Sequence, residues 1–276
     1  MFNSRMFFRL VGAAVVTAVI IPAHGRAQEP RYSAPRRATV PTAGVRLIRI
    51  SSGAGYLHVD GKTGLTQVRV DGMARASNRD ALESLKLIAE RQGDVIVIKP
   101  DIPDERRGFW DLLRHDWVRM LDLDIDVPAN IPIEVHDGSG DLRIRGTAST
   151  EVNDGSGNIE ISGIGGNVDV TDGSGEVKID GVEGDVEVSD GSGNIRVSNV
   201  TGSFIVNTDG SGNIDADGVG GTMRVSSDGS GNIDARRVGG DFVVGSKGSG
   251  DIQYSTVKGR VDIPERRRRY RRSDNF

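Results

Sequence analysis

Asp-Gly-Ser-Gly begins at Asp137, Asp154, Asp172, Asp190, Asp209 and Asp228, and Lys247-Gly-Ser-Gly closes the series. The steps between these turns are 17, 18, 18, 19, 19 and 19 residues. Near-identical turns at a near-constant step make the unit a repeat, and a unit this short cannot bury its one apolar face alone. The aliphatics inside each unit set its geometry. After Asp154 they are Ile159, Ile161, Ile164, Val168 and Val170, and after Asp172 they are Val177, Ile179, Val182, Val186 and Val188. Each unit therefore reads as two short strands alternating in and out, joined by two glycine turns. Where the first strand shrinks to Ala216 or Ala235, the second grows to Met223 or Phe242, keeping the constant core volume that close packing requires. The extra residue of the longer units, Asn207-Thr208 against the single Thr171, reads as a bulge.

The expected fold is all-β, a right-handed parallel β-helix or solenoid of 18–19-residue rungs over residues 121–264. Residues 45–120 read as an N-terminal β region. It holds a degenerate rung around Leu47, Ile48, Ile50, Leu57 and Val59, with Ser52-Gly53-Ala54-Gly55 as its turn. A short helix over Asp80–Leu85 and a hairpin about Gln92-Gly93-Asp94 follow. Phe109, Leu112, Leu113, Trp117 and Met120 then recur at helical spacing, which predicts an amphipathic helical insertion over residues 101–120 carrying both tryptophans. Residues 28–44, rich in proline and arginine, read as a disordered linker, and residues 265–276 as a basic disordered tail.

The first 27 residues have the physical form of an export signal. Arg5 and Arg9 precede an apolar run from Leu10 to Ile21, and Gly25 and Ala27 are small residues at a cleavage position. The apolar run is shorter than the ~20 residues that cross a bilayer, so no transmembrane span is expected after cleavage. The destination is the periplasm or the cell surface. Removing Arg5, Arg9 and Arg26 changes the net charge from −4 to −7, and the basic tail makes the remaining body more acidic still. An exported, acidic body excludes nucleic acid as a partner. The absence of cysteine excludes thiolate catalysis, a disulfide framework and a cysteine metal site.

An export signal, a weakly repeating β region and then Asp-Gly-Ser-Gly-Asn-Ile units together resemble an exported β-strand-repeat family labelled "putative adhesin". It is a domain of unknown function related to the head (GIN) domain of autotransporter adhesins. The resemblance spans roughly residues 45–264. It implies a single-stranded β-helix in the cell envelope and supplies no catalytic residues. The chain departs from the family pattern at residues 101–120 and in the arginine tail.

The repeat itself offers little chemistry. Its serine has no recurring histidine and no strand-to-helix elbow, so it is no nucleophile. Its Gly-x-Gly leads into a strand and lacks the helix N-terminus that would cradle phosphate. Compared with the calcium-binding nonapeptide, the half-unit from Asp154 to Ser162 puts apolar Ile159 where the chelating aspartate belongs. Asp and Ser side chains bonding nearby backbone N–H groups explain the turn, and Asn158, Asn194, Asn213 and Asn232 read as a stacked ladder. Asp215 beside Asp234 is a like-charge outward pair of the kind carbohydrate-cleaving β-helices use. The reading that follows is a non-enzymatic exported rod acting as a rigid, adhesin-like interaction element, without catalytic residues, metal or cofactor. Its expected partner is an envelope component: a protein, a polysaccharide or an anionic surface. Expected contacts are Trp110, Trp117, Arg266, Arg267, Arg268 and Arg269. A calcium-dependent binding module is the alternative, and a polysaccharide-acting enzyme a more distant one. Intact mass of the chain recovered from the envelope fraction should correspond to a mature protein starting at Gln28. Recovery of the full-length chain in the membrane would overturn that expectation.

Overall fold

The computed structural model describes residues 30–101 and 119–264. The N-terminal part comprises β1 (Tyr32–Pro41), β2 (Leu47–Ser51), β3 (Leu57–Lys62), β4 (Gln67–Ala76), α1 (Arg79–Ser84), β5 (Lys86–Gln92), β6 (Val95–Asp101) and β7 (Arg119–Pro128). The repeats begin with β8 (Ile133–Asp137), β9 (Leu142–Arg145), β10 (Thr150–Asp154), β11 (Ile159–Ile164), β12 (Val168–Asp172), β13 (Val177–Val182), β14 (Val186–Asp190) and β15 (Ile195–Val200). They end with β16 (Phe204–Asp209), β17 (Ile214–Val219), β18 (Met223–Ser230), β19 (Ile233–Val238), β20 (Phe242–Ser249), β21 (Ile252–Val257) and β22 (Val261–Asp262).

From β8 onward the chain alternates between two sheets, so each rung gives one strand to each. The first sheet runs β1-β4-β7-β3-β9-β11-β13-β15-β17-β19-β21, and the second β22-β20-β18-β16-β14-β12-β10-β8-β2-β6-β5. All pairs among the repeats are parallel, and their inward aliphatics stay in register, as in Val168↔Val186 and Ile195↔Ile214. This is the expected β-solenoid. Alternation puts the aliphatics inside: Ile159, Ile161, Val168, Val170, Phe204 and Phe242 are all at most 1% exposed. The small and large positions stack as expected, Ala216 on Ala235 in one sheet and Met223 on Phe242 in the other. The added residue of the longer units appears as a register shift after Val188, opposite Asn207.

The turn obeys the same lattice. The last Gly of each Asp-Gly-Ser-Gly has positive φ, +135° at Gly157, and a Cβ there would stand 1.8 Å from the carbonyl oxygen of Gly140 in the previous rung. Only glycine lets successive turns nest so closely. Asp Oδ1 accepts from the backbone N–H two residues on, at 3.3 Å for Ser156, 3.2 Å for Ser174 and 3.0 Å for Ser192. The asparagine stack differs from an amide-to-amide ladder. Asn194 Oδ1 accepts from the backbone N–H of Asn213, and Asn213 Oδ1 from that of Asn232, both at 3.0 Å, so each amide ties its rung to the next backbone.

Two sequence expectations are corrected at the N-terminal end. Residues 28–44 do not form a disordered linker throughout, because β1 pairs antiparallel with β4 along its whole length, from Tyr32↔Ala76 to Pro41↔Gln67. Its prolines are tolerated because β1 is an edge strand. Ala34 and Val40 are buried, and Arg36 donates from Nε to the carbonyl of Leu85 at 2.9 Å and from Nη2 to that of Leu82 at 2.8 Å, closing the C-terminal end of α1. The second correction concerns stacking order. The degenerate rung β2–β3 lies between the strands β6 and β7 on one side and β8 and β9 on the other, rather than beyond residues 121–128. Leu57 and Val59 stand in register with both Leu123 and Ile125 and Leu142 and Ile144, so the same aliphatic spacing serves two neighbours. The hairpin β5–β6 and the helix α1, with Asn78 as its N-cap, follow the sequence reading. Of the expected helical insertion over residues 101–120, Asp101 belongs to β6 and Arg119 and Met120 to β7, and the remaining positions, with Trp110 and Trp117, lie outside the described residues.

Register is directly testable. Ile214 is fully buried between Ile195 and Ile233, whereas Asp215 points outward. Ile214→Asp should cost about 3–5 kcal/mol by burying an unpaired carboxylate, and Asp215→Asn about 0.5 kcal/mol or less. Comparable shifts in denaturant midpoint would refute the register.

Candidate interaction surface

Side chains that alternate outward from parallel, in-register strands form columns, one residue per rung ~4.8 Å apart. On the first sheet the column passes from Asp124 through His58 to Arg143, Glu160, Lys178, Arg196, Asp215, Asp234 and Gln253. Its signs are mixed and locally paired. Arg143 Nε meets Glu160 at 2.9 Å, Arg196 pairs with Glu176 and reaches Asp215 at 3.8 Å, and Arg236 meets Asp234 at 3.3 Å. The like-charge pair Asp215 and Asp234 thus stands on a flat sheet between arginines. Among the described residues, one concavity is lined by Thr42, Arg46, Leu65 and Asn130 among others, and another by Leu47, Glu134, Glu151 and Asp169 among others. Neither includes Asp215 or Asp234.

The second sheet carries the opposite arrangement. Its outer column is Arg49, Glu134, Glu151, Asp169, Glu187, Ile205, Arg224, Val243 and Asp262. Four acidic residues in succession occupy β8, β10, β12 and β14. This run is not singled out in the sequence analysis above. The signal was present: counting one rung back from Asp169 and then another reaches Glu151 and Glu134 on the outward phase of their strands.

Among the described residues, the first member alone forms an ion pair with a close cation. Arg49 donates to Glu134 Oε2 from Nε at 3.0 Å and from Nη2 at 2.8 Å, which raises the arginine pKa and lowers that of the glutamate. His136 Nε2 also lies 2.8 Å from Glu134 Oε1. Beyond Glu134, Glu151, Asp169 and Glu187 are exposed and form no ion pair among the described residues, although Glu187 accepts from Asn207 Nδ2 at 2.5 Å. Partial burial, then Glu187 and Glu151, push the Asp169 carboxyl above its ordinary value. Like charges directly opposite one another in a sheet are destabilising. The ladder therefore strains a rod that needs only polar side chains at these positions.

The acidic ladder forms a line rather than a cage. Among the described residues no three His, Asp or Glu side chains converge on a point that could hold a metal ion. The position where the calcium-binding nonapeptide has its chelating aspartate is Ile159, 1% exposed and packed in the core. Arg266, Arg267, Arg268 and Arg269, like Trp110 and Trp117, lie outside the described residues. No described helix is long and apolar enough to cross a membrane.

No family model and no curated protein matches the chain. Among solved structures, it is similar to a "putative cell adhesion protein" from Clostridium sporogenes, at 12% identity over 84% of this chain and 98% of the other, with a TM-score of 0.28. It is similar also to a "putative lipid binding protein" from Parabacteroides distasonis, at 12% identity over 83% and 97% of the two chains and a TM-score of 0.34. A "putative adhesin" from Bacteroides fragilis shares 14% identity over 86% of this chain and all of the other, with a TM-score of 0.29. At these TM-scores the names carry no argument about what this chain binds.

Proposed function

We propose that this protein is an exported, non-enzymatic binding rod of the cell envelope, in the periplasm or at the cell surface, and that the acidic ladder of its second sheet is its principal contact face. The observation that carries this reading is the run Glu134, Glu151, Asp169 and Glu187, held in register on an exposed sheet with a close cation at the first rung. The glycines and turn aspartates serve the stack, and the inward aliphatics fill the core. The ladder serves neither purpose and works against stability. A partner bearing several cationic groups along an extended segment relieves that repulsion on binding, and rim charges of this kind govern association rate and salt dependence. The rod contributes rigidity, which keeps the four carboxylates at fixed spacing and lowers the entropic cost of multivalent contact. In this reading Trp110, Trp117 and the arginines from Arg266 to Arg269 are secondary contacts, the arginines toward anionic envelope components.

The test uses the mature chain and the triple variant Glu151→Gln, Asp169→Asn, Glu187→Gln, with an immobilised oligolysine peptide as the cationic probe. The wild type should bind with an affinity that falls steeply between 50 mM and 500 mM salt, as the Debye length shrinks from roughly 14 Å to about 4 Å. The triple variant should lose most of that binding while melting at the same temperature or slightly higher. Equal binding by the two proteins would refute the ladder as the contact face. Hydrolysis of envelope polysaccharide that Asp215→Asn abolishes would refute the non-enzymatic reading.

A further inference from the structure

Inside the rod runs a second acidic column, formed by the turn aspartates. Asp137, Asp154, Asp172, Asp190 and Asp209 end successive strands of the second sheet, Asp228 lies near the end of the next, and the six stand directly on one another. Unlike the outer ladder they are buried, none more than 7% exposed, and they continue the inward phase set by Val152, Val170 and Val188. In Asp154, Asp172 and Asp190 one oxygen accepts from a turn N–H, as Asp137 does from Gly138 at 2.8 Å. The other oxygen of each is buried without a hydrogen-bond partner, as are both oxygens of Asp209 and Oδ1 of Asp228.

The last rung shows what such a slot accepts. Lys247 stands where the next aspartate would be, in register with Asp228. Its Nζ donates to Asp228 Oδ2 at 2.5 Å, to the carbonyl of Gly231 at 2.6 Å and to that of Ser249 at 2.9 Å, with the two side chains 5% and 0% exposed. A buried donor here finds three acceptors. In the rungs below, the same place in the turn holds an aspartate, and an aspartate becomes a donor only by carrying a proton.

We propose that the buried aspartate column is a proton-holding spine, in which several of the carboxyls stay neutral in the folded rod, so that the rod tightens as its surroundings become acidic and loosens as they become alkaline. The charged and titratable groups facing each carboxylate are its neighbours in the column, with the Ser52 hydroxyl beyond Asp137 and Lys247 beyond Asp228. A single ammonium cannot neutralise six carboxylates in line, and leaving the rest ionised places uncompensated charges side by side in the interior.

The proton affinities agree in direction. Burial first, and neighbouring carboxylates second, push Asp137 and Asp172 up to about 6 and Asp209 up to about 7. Burial also raises Asp154 and Asp190. The turn N–H groups work the other way without prevailing. Because these values lie above the ordinary 3.8, the folded chain holds more protons than the unfolded one between about pH 4 and about pH 7. The stabilisation is complete below the unfolded value and is lost as pH rises through 6 to 7. Glu134 and Asp180, whose values are lowered, favour folding in the opposite sense, and that contribution is lost only in stronger acid.

The experiment is thermal melting of the mature chain from pH 4.5 to pH 8.5, with infrared detection of the protonated carboxyl band and with the neutral isosteric variant Asp172→Asn, Asp209→Asn. The wild-type Tm should fall by several degrees between pH 5 and pH 8, and a protonated carboxyl band should persist at pH 6. The double variant should show a flatter Tm profile and a weaker band. Should the double variant fail to fold, the wild-type band and the single variant Asp209→Asn decide. A wild-type Tm that is flat or rises over this range overturns the proposal. So does the absence of a protonated band at pH 6 together with a Tm that calcium raises, which would mean that a metal ion neutralises the column.

Discussion

Parallel, in-register hydrogen bonding between rungs is the constraint on which the rest of this molecule depends. Each rung donates and accepts through the backbone of its neighbours, in the turns as well as the strands: Gly155 N–H meets the Asp137 carbonyl at 3.1 Å, and Gly173 N–H meets that of Asp154 at 3.0 Å. A turn that must repeat at strand spacing leaves no room for a Cβ where one carbonyl sits over the next Cα. The glycine-rich turns follow from that requirement, and so does the near-constant repeat length.

Register also stacks like on like. For an aliphatic this is ideal, since identical shapes pack at constant density. For asparagine it is favourable, because the amide reaches the next rung's backbone. For an acidic residue it is a liability, and the two acidic stacks resolve it differently. The outer one faces water and a prospective partner. The inner one faces the core and Lys247, and a proton is the smallest charge that can settle it.

The repeat domain was legible because its signals are local. The turn, the alternation, the size compensation between Ala216 and Met223 and the bulge at Asn207-Thr208 all lie within one period. What was missed depends on distant partners. β1 is spelled in proline and arginine, and becomes a strand because β4 offers an edge and because Arg36 finds the carbonyls of Leu82 and Leu85. The burial of the turn aspartates escaped for a related reason. A turn in sequence suggests a solvated carboxylate, and only the phase continuing from Val170 to Asp172 places that carboxylate inside.

The intercalated rung also bears on how the chain reaches its fold. β2 and β3 precede β6 to β9 in sequence, yet they lie between them, so this layer has both its faces made by segments whose paired residues stand 48 to 85 positions downstream. Contacts of that sequence separation are slow to form. A chain emerging N-terminus first cannot complete this layer until Arg145 has been made. Every later layer then docks on a finished neighbour made less than twenty residues earlier. Assembly therefore has one slow closure at the base followed by rapid, one-directional growth. Shortening the rod from its C-terminal end removes layers singly, whereas a break in the first hundred residues removes the template on which all of them form.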